Sequence, residues 1–207
     1  MLKAIIRKVI DFAKNGLNGD TSGHDWYHTK RVYSAALLIA QGEGAVDTDV
    51  IEIAALLHDV MDHKLGYGDE DRARMVKDCL WGSEISDEQI DHVIYIINNI
   101  SFKGGKNKHV LTTIEGKIVQ DADRLDALGA IGIARTFAFG GHAGRAIYSP
   151  EHTPDAPGED SISHFHEKLL KLKALMHTET GTRLAEKRHL FMLEFLEEFY
   201  SEWGERV

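Results

Sequence analysis

An apolar run that ends in adjacent titratable residues constrains this chain more than any other feature. Residues 54–57 (Ala-Ala-Leu-Leu) lead directly into His58 and Asp59, and Asp62 and His63 follow. A helix that is apolar on nearly every side is buried in a folded protein. Buried charged groups are costly unless they are paired or bind a metal. The sequence therefore predicts a buried helix that ends in a polar cluster able to hold a metal ion.

Two further segments place His and Asp residues in an apolar helical pattern. One lies upstream at residues 24–32, and the other lies downstream at residues 119–129. A lone His-Asp pair is more often a helix-end hydrogen bond than a ligand set, but three such clusters in one chain favour a metal site. The spacing alone does not choose among the three downstream carboxylates, Asp121, Asp123 and Asp126.

The order His28, His58-Asp59, Asp123 resembles the H…HD…D signature of the HD-domain metal-dependent phosphohydrolases. The flanking residues are similar to those of small stand-alone bacterial members, and the likeness covers nearly the whole chain. It implies an all-α fold in which these four side chains hold one metal ion. Asp123 is chosen because residues 122–125, Ala-Asp-Arg-Leu, match the sequence motif that carries this ligand in the family.

The chemistry of these ligands indicates which metal to expect. Imidazole and carboxylate suit one divalent transition metal, with manganese first and iron, cobalt, nickel or zinc as alternatives, whereas structural zinc sites usually contain cysteine. The resemblance implies hydrolysis of a phosphoester or phosphoanhydride bond in a small phosphorylated substrate, a nucleotide in particular. Nucleotide pyrophosphohydrolase, nucleotidase and cyclic-nucleotide phosphodiesterase activities all remain open.

The resemblance also suggests residues that act around the metal. Asp62 is the predicted catalytic residue for proton transfer, because relatives carry an acid a few residues past the HD pair. A helix would also place Asp62 on the same side as His58. The pair Asp62-His63 departs from the Glu-Asp of the family's guanosine tetraphosphate hydrolases, which argues against a shared substrate. Asp25 is expected to hold His28 in its tautomer.

Three residues are candidates for binding the substrate. His24 precedes the first ligand, Lys103 lies in a glycine-bearing loop, and Lys168 follows a His-rich segment. Phosphate groups need nearby cations, but a solvated surface role is the alternative for each lysine. Asp121 and Asp126 are expected to orient a ligand or to pair with Arg124.

Two other classes of protein are compatible with the same residues. One is a non-catalytic metal- or nucleotide-binding module that keeps the fold without the chemistry. The other is a structural helical protein in which the His and Asp clusters form buried ion pairs, and it predicts that no metal is bound. The complete ligand set together with Asp62 favours the enzyme.

Apolar spacing predicts helices along the whole chain. Expected N-caps are Asp25 or a neighbour, Asp47 or Thr48, and Ser86 in a capping box with Gln89. The last helices are predicted at about 162–177 and 182–203, after a proline-bearing, mobile excursion up to residue 160 near the site. The fold class is all-α, a single-domain HD-type helical bundle over residues 1–207, with a motif-bearing core at about 20–130 and C-terminal helices at 160–203 packed on it.

Composition limits the partners of the chain. Its 207 residues carry a formal net charge of −9, which argues against binding extended nucleic acid. No apolar run approaches the roughly 20 residues that span a bilayer, and the N-terminus shows no export signal. The single cysteine, Cys79, excludes an intrachain disulfide. We therefore expect a cytoplasmic protein without membrane contact, and the sequence leaves the oligomeric state open.

Overall fold

The computed structural model describes residues 4–17, 25–60, 67–100, 110–150 and 160–204. Within these ranges the chain is all-α, without a strand, as the sequence predicts. None of the helices described is long and apolar enough to cross a membrane. The helices are α1 (Ala4–Gly16), α2 (Trp26–Glu43), α3 (Thr48–Leu57), α4 (Asp69–Leu80), α5 (Asp87–Asn99), α6 (Ile114–Asp126), α7 (Gly129–His142), α8 (Ser161–Glu167) and α9 (Glu179–Trp203), with a 3₁₀ helix (Leu169–Leu175) before α9.

The internal contacts of the chain define two compact units, Met1–Ala122 and Asp123–Val207. The first unit contains α1 to α5 and most of α6, and the second contains α7 to α9. The single-domain organisation, with C-terminal helices packed on the motif-bearing core, stays a prediction.

The helices of the first unit begin at the local signals that the sequence contains. Asp25 is the N-cap of α2 and accepts a hydrogen bond from the backbone N–H of His28 at 2.9 Å. Asp47 is the N-cap of α3. Ser86 is the N-cap of α5 and exchanges hydrogen bonds with Gln89. The predicted caps are confirmed, because each satisfies N–H groups that a helix start leaves without a partner.

Helix α3 is the buried centre of the first unit. It packs against α1, α2 and α5, and every residue from Ile53 to Leu57 is fully buried. Burying each leucine contributes about 1.5–3 kcal/mol. The helix ends at Leu57 and residues 58–60 form a turn. Asp62 lies outside the described residues, so its predicted position beside His58 stays a prediction.

The second unit differs from the sequence prediction around residue 168. The single helix predicted at 162–177 was wrong, because α8 ends at Glu167 and Lys168 leaves helical geometry with φ −133°. A 3₁₀ helix follows, in which Leu169 and Leu172 are both buried. A helix with three residues per turn places residues i and i+3 on the same side, so the tighter turn buries this pair.

The proline-bearing stretch before α8 has its two ends joined by backbone hydrogen bonds. The N–H of Ser161 donates to the carbonyl of Ala146 at 3.0 Å, and that of Ile162 to the carbonyl of Ile147 at 3.1 Å. Residues 151–159 lie outside the described ranges, so the expected excursion near the site stays a prediction.

Candidate metal centre

Three of the four predicted ligands converge within the first unit. His28 comes from the first turn of α2, whereas His58 and Asp59 directly follow α3. The two Nε2 atoms of the histidines are 3.2 Å apart. The Oδ2 atom of Asp59 lies 3.1 Å from Nε2 of His28 and 3.3 Å from Nε2 of His58. All three residues are buried.

The three distances fit the coordination sphere of a metal ion. With metal–ligand bonds of about 2.1 Å, two ligand atoms lie about 3.0 Å apart at right angles and about 3.4 Å apart at the tetrahedral angle. The three observed separations fall between these values. The triangle therefore has the size of one face of a metal site, and its donors are those that borderline divalent ions prefer.

The tautomer of His58 is set by the backbone of α3. Its Nδ1 lies 2.9 Å from the carbonyl oxygen of Ala55. A carbonyl oxygen can only accept a hydrogen bond, so Nδ1 carries the proton and Nε2 presents its lone pair to the cluster. This is the arrangement by which metal-binding histidines are usually oriented.

Asp25 positions His28 through the start of α2. Its carboxylate accepts a hydrogen bond from the backbone N–H of His28. Asp25 is therefore the N-cap that holds the first helical turn in place, and its expected role in fixing the tautomer of His28 stays a prediction.

Sequence reasoning missed Arg72, which lies in α4 and is fully buried. Its Nη2 donates a hydrogen bond of 2.6 Å to the carbonyl oxygen of His58. The available signal was its spacing, because Arg72 occupies the same helical stripe as the buried residues Met75, Val76 and Cys79. A positive charge at this point complements the negative end of the α3 dipole.

Lys168 and Asp123 belong to the second compact unit. Lys168 is the C-cap of α8. Burial lowers the pKa of His164, and the positive charge of Lys168 adds to that effect.

Asp123 lies in the last turn of α6 and is partly exposed. The ligand role of Asp123 and the substrate role of Lys168 are taken up as proposals below, and His24, Asp62 and Lys103 lie outside the described residues.

Asp126 is engaged in an ion pair within the second unit. Its Oδ2 lies 2.7 Å from Nη1 of Arg135. Arg124 donates to the carbonyl of Leu175, and its Nη1 is 3.0 Å from Nε2 of His177. Asp126 thus pairs with Arg135, and the expected pairing of Asp121 or Asp126 with Arg124 stays a prediction.

An all-α chain whose buried core ends in a converging His-His-Asp cluster has the architecture of the HD class. The chain matches the HD domain family over residues 25–128 and belongs to that family. It is 44% identical over 185 residues to the uncharacterized protein YpgQ of Bacillus subtilis (strain 168), a match that covers 87% of this chain and 84% of that protein.

Solved structures give the same result. The structure of an HD-superfamily hydrolase from Bacillus thuringiensis is similar with a TM-score of 0.80 and 46% sequence identity, covering 97% of each chain. The structure of Bacillus subtilis YpgQ in complex with ADP is similar with a TM-score of 0.76 and 38% identity, covering 95% of this chain and 97% of that one. The predicted family and fold class are confirmed.

Proposed function

We propose that this chain is a metal-dependent phosphohydrolase that cleaves a phosphoester or phosphoanhydride bond of a small phosphorylated substrate, a nucleotide in particular. The observation that carries the proposal is the mutual approach of His28, His58 and Asp59, whose ligand atoms lie within 3.3 Å of one another. A structural ion pair needs one short contact, whereas three nearly equal contacts are expected of a ligand set around one ion.

The proposed site holds one divalent transition metal, with manganese first. His28, His58 and Asp59 are three of its ligands, and Asp123 is the proposed fourth on the strength of its family motif. When bound, such an ion lowers the pKa of a water molecule and polarises a phosphoryl oxygen.

The residues of the chain supply orientation and proton transfer. The Ala55 carbonyl keeps Nε2 of His58 unprotonated, and burial of the cluster excludes bulk water from the ligands. Asp62 is proposed to accept a proton from the attacking water. Lys103, Lys168 and His24 are proposed to contact substrate phosphates, since the chain as a whole carries a net charge of −9 and needs local cations for such a substrate.

A nucleotide substrate is supported by the relative crystallised with ADP, YpgQ of Bacillus subtilis. In the structural superposition, which covers 95% of this chain and 97% of that one, the two proteins are 38% identical. The three reaction types that the sequence left open differ in their products. A nucleotidase releases inorganic phosphate, a pyrophosphohydrolase releases pyrophosphate, and a cyclic-nucleotide phosphodiesterase releases a linear monophosphate.

The proposal is tested by measuring metal content and hydrolysis on the same samples. Elemental analysis of the gently purified wild type, His58→Ala and Asp123→Ala would be combined with phosphorus NMR of a nucleotide panel. His142→Ala, an exposed histidine at the end of α7, is the matched control. We expect about one metal per chain in the wild type and the control, as in single-ion hydrolases, and loss of both metal and hydrolysis in the two ligand variants.

Other results separate the alternatives. A wild type that takes up neither manganese nor cobalt and hydrolyses nothing would contradict the proposal and leave a buried polar network. A stoichiometric metal without hydrolysis of any panel member would indicate the non-catalytic binding module. Asp62→Asn is expected to keep the metal and to lower kcat by about 10²–10⁴-fold, the range for loss of a general acid–base residue.

A further inference from the structure

The second unit gathers three basic side chains, in a chain whose net charge is −9. His164 lies in α8, Lys168 is the C-cap of that helix, and Arg145 lies in the connection between α7 and α8. Like charges placed side by side repel one another, so such a grouping costs free energy in a protein that binds nothing there. A ligand of opposite charge would turn this cost into a favourable interaction.

His164 and Lys168 lie on one side of α8. They are four residues apart, and the backbone N–H of Lys168 donates to the carbonyl of His164 at 3.1 Å, so the last helical turn brings them together. Ser161, three residues before His164, begins the same side of the helix and is buried. Both His164 and Lys168 are half-buried, so a small ligand can reach them from solvent.

Arg145 is held against the start of α8 by contacts with the end of α7. Its backbone N–H donates to the carbonyl of Gly140 at 2.8 Å, and the carbonyl of the next residue, Ala146, accepts from the N–H of Ser161 at 3.0 Å. A Cβ atom at Gly140 would collide with Oγ of Ser161 and would lie 3.9 Å from Cβ of Arg145. The glycine therefore allows the end of α7, Arg145 and the start of α8 to meet.

The charges of the group act on His164. Burial lowers the pKa of His164, and the positive charges of Lys168 and Arg145 lower it further, whereas Glu167 has a smaller effect in the opposite direction. The influence of a charge on a titrating group is largest within about 4–6 Å. Lys168 and Arg145 therefore lie close enough to His164 to act on the same ligand.

The guanidinium of Arg145 is already oriented and accessible. Its Cζ atom lies 5.5 Å from the centroid of the Phe139 ring, a cation–π contact that limits its rotamers. Arg135 is paired with Asp126, whereas among the described residues no carboxylate forms an ion pair with Arg145. The planar fork of N–H donors in a guanidinium matches two oxygens of a phosphate group. The side chain can therefore bind such a group at little cost in conformational freedom.

We propose that Arg145, His164 and Lys168 form one anion site that binds a phosphate group of a small phosphorylated ligand. Lys168 is a proposed phosphate contact above, and Arg145 and His164 are new members of the same site. The choice of phosphate as the anion rests on the proposed function, but binding at this site requires neither the metal nor hydrolysis. The phosphate can belong to a nucleotide or be free phosphate, and the same three groups would bind either.

Isothermal titration calorimetry on the folded, metal-depleted full chain tests the site with ADP, pyrophosphate and inorganic phosphate. Arg145→Gln and His164→Gln are each expected to weaken binding about 10-fold, as for the loss of one charge-assisted hydrogen bond. Arg145→Lys keeps the charge without the fork and should fall between the two. Arg183→Gln, at an exposed arginine in α9, is the matched control and should bind like the wild type. Tighter binding of ADP than of inorganic phosphate would identify the nucleotide as the source, and equal binding would identify free phosphate.

The protonation of His164 gives a second readout that a merely structural role would not change. Histidine NMR titrations are made with and without sulfate, a phosphate mimic whose own charge is constant near neutral pH. The pKa of His164 is expected to rise by about one unit with sulfate, because a bound anion favours the imidazolium. His166, which contacts Tyr200, should shift less and serves as the internal control.

Two results would overturn the proposal. One is a folded, metal-depleted wild type that binds none of the three anions. The other is binding that Arg145→Gln and His164→Gln leave unchanged, which would indicate an adventitious ion only. Failure of the proposed function is a separate result, because a chain that hydrolyses nothing can still bind the anion and lose it in these variants. Hydrolysis by the metal-loaded chain with unchanged KM in both variants would count against the anion site alone.

Discussion

The histidines of the two compact units have different surroundings. In the first unit, His28, His58 and Asp59 direct their ligand atoms at one another. In the second unit, His166 has a separate hydrogen-bond partner, the hydroxyl of Tyr200, at 2.9 Å. The first arrangement could hold a cation at its centre, whereas His166 already has a hydrogen-bond partner in the protein.

Two acids of the second unit, Asp160 and Asp126, likewise have partners of their own. Asp160 accepts a 2.7 Å hydrogen bond from the backbone N–H of Ser163 and begins α8, and Asp126 pairs with Arg135. The comparison shows that an abundance of His and Asp in a sequence does not identify a metal site. Convergence of their ligand atoms on one point is what makes three of these residues able to hold a metal ion, and four tests can break or sharpen this distinction.

The largest expected effect is on bound metal. His28→Ala is expected to reduce metal content from about one ion per chain to background, because a ligand loss exceeds the 10- to 100-fold cost of an outer-shell change. His166→Phe is expected to keep full metal content. Elemental analysis together with a thermal-shift assay on adding manganese measures both, and metal retained by His28→Ala would erase the distinction between the units.

The second test concerns Arg72, the buried arginine of α4 that donates a hydrogen bond to the residue at the end of α3. Arg72→Met keeps an apolar stem but removes the hydrogen bond to the His58 carbonyl. We expect a loss of about 1–3 kcal/mol in unfolding free energy and a drop of about 10-fold in metal affinity. Arg135→Met, which breaks the ion pair of the second unit, should lower stability but not metal affinity. Urea unfolding and chelator competition provide the measurements, and equal metal affinities would refute a positioning role for Arg72.

The third test uses acid. Burial is the main cause that lowers the pKa of both His164 and His166. A histidine whose folded-state pKa is lowered stabilises the fold above its unfolded pKa of about 6.5, and this contribution is lost as the pH falls through the lower folded value. In the metal-free chain, stability is therefore expected to fall on acidification, and H164Q/H166Q should reduce the slope. Urea midpoints measured at several pH values test this, and an unchanged slope would count against it.

The smallest effect is expected at alkaline pH in the first unit. Burial, together with a 3.0 Å hydrogen bond to Glu52, raises the pKa of Tyr33 to about 12. Because this pKa is raised, the stabilising contribution is full below pH 10 and is lost as the pH rises through about 12. Tyr33→Phe should remove a late phase from the tyrosinate absorbance titration and cost about 0.5–1.5 kcal/mol. Tyr27→Phe, at a residue that is 66% exposed, should leave that late phase in place.

Much of the first unit was predictable because its signals are local. The apolar run before His58 predicted the buried helix α3, and Asp25, Asp47 and Ser86 predicted helix starts that the structure contains. Each of these inferences depends on residues within one or two helical turns, where spacing and capping chemistry decide the outcome.

The remainder depended on contacts between distant residues. The hydrogen bond from Arg72 to the carbonyl of His58 joins residues fourteen positions apart, and spacing within one helix does not indicate it. Similarly, the break at Lys168 follows from burying Leu169 and Leu172 together. The choice of Asp123 among three carboxylates came from the family motif, because spacing could not make it.

The adjacency of His58 and Asp59 has a consequence for ion selectivity. Both directly follow the end of one helix, so in the proposed metal site they form the two arms of a single chelating group, while His28 belongs to α2. The span between these two parts is set by the distance at which α2 packs against α3. An ion of larger radius must therefore separate two packed helices, and substitutions that change this spacing would retune size preference without altering a single ligand.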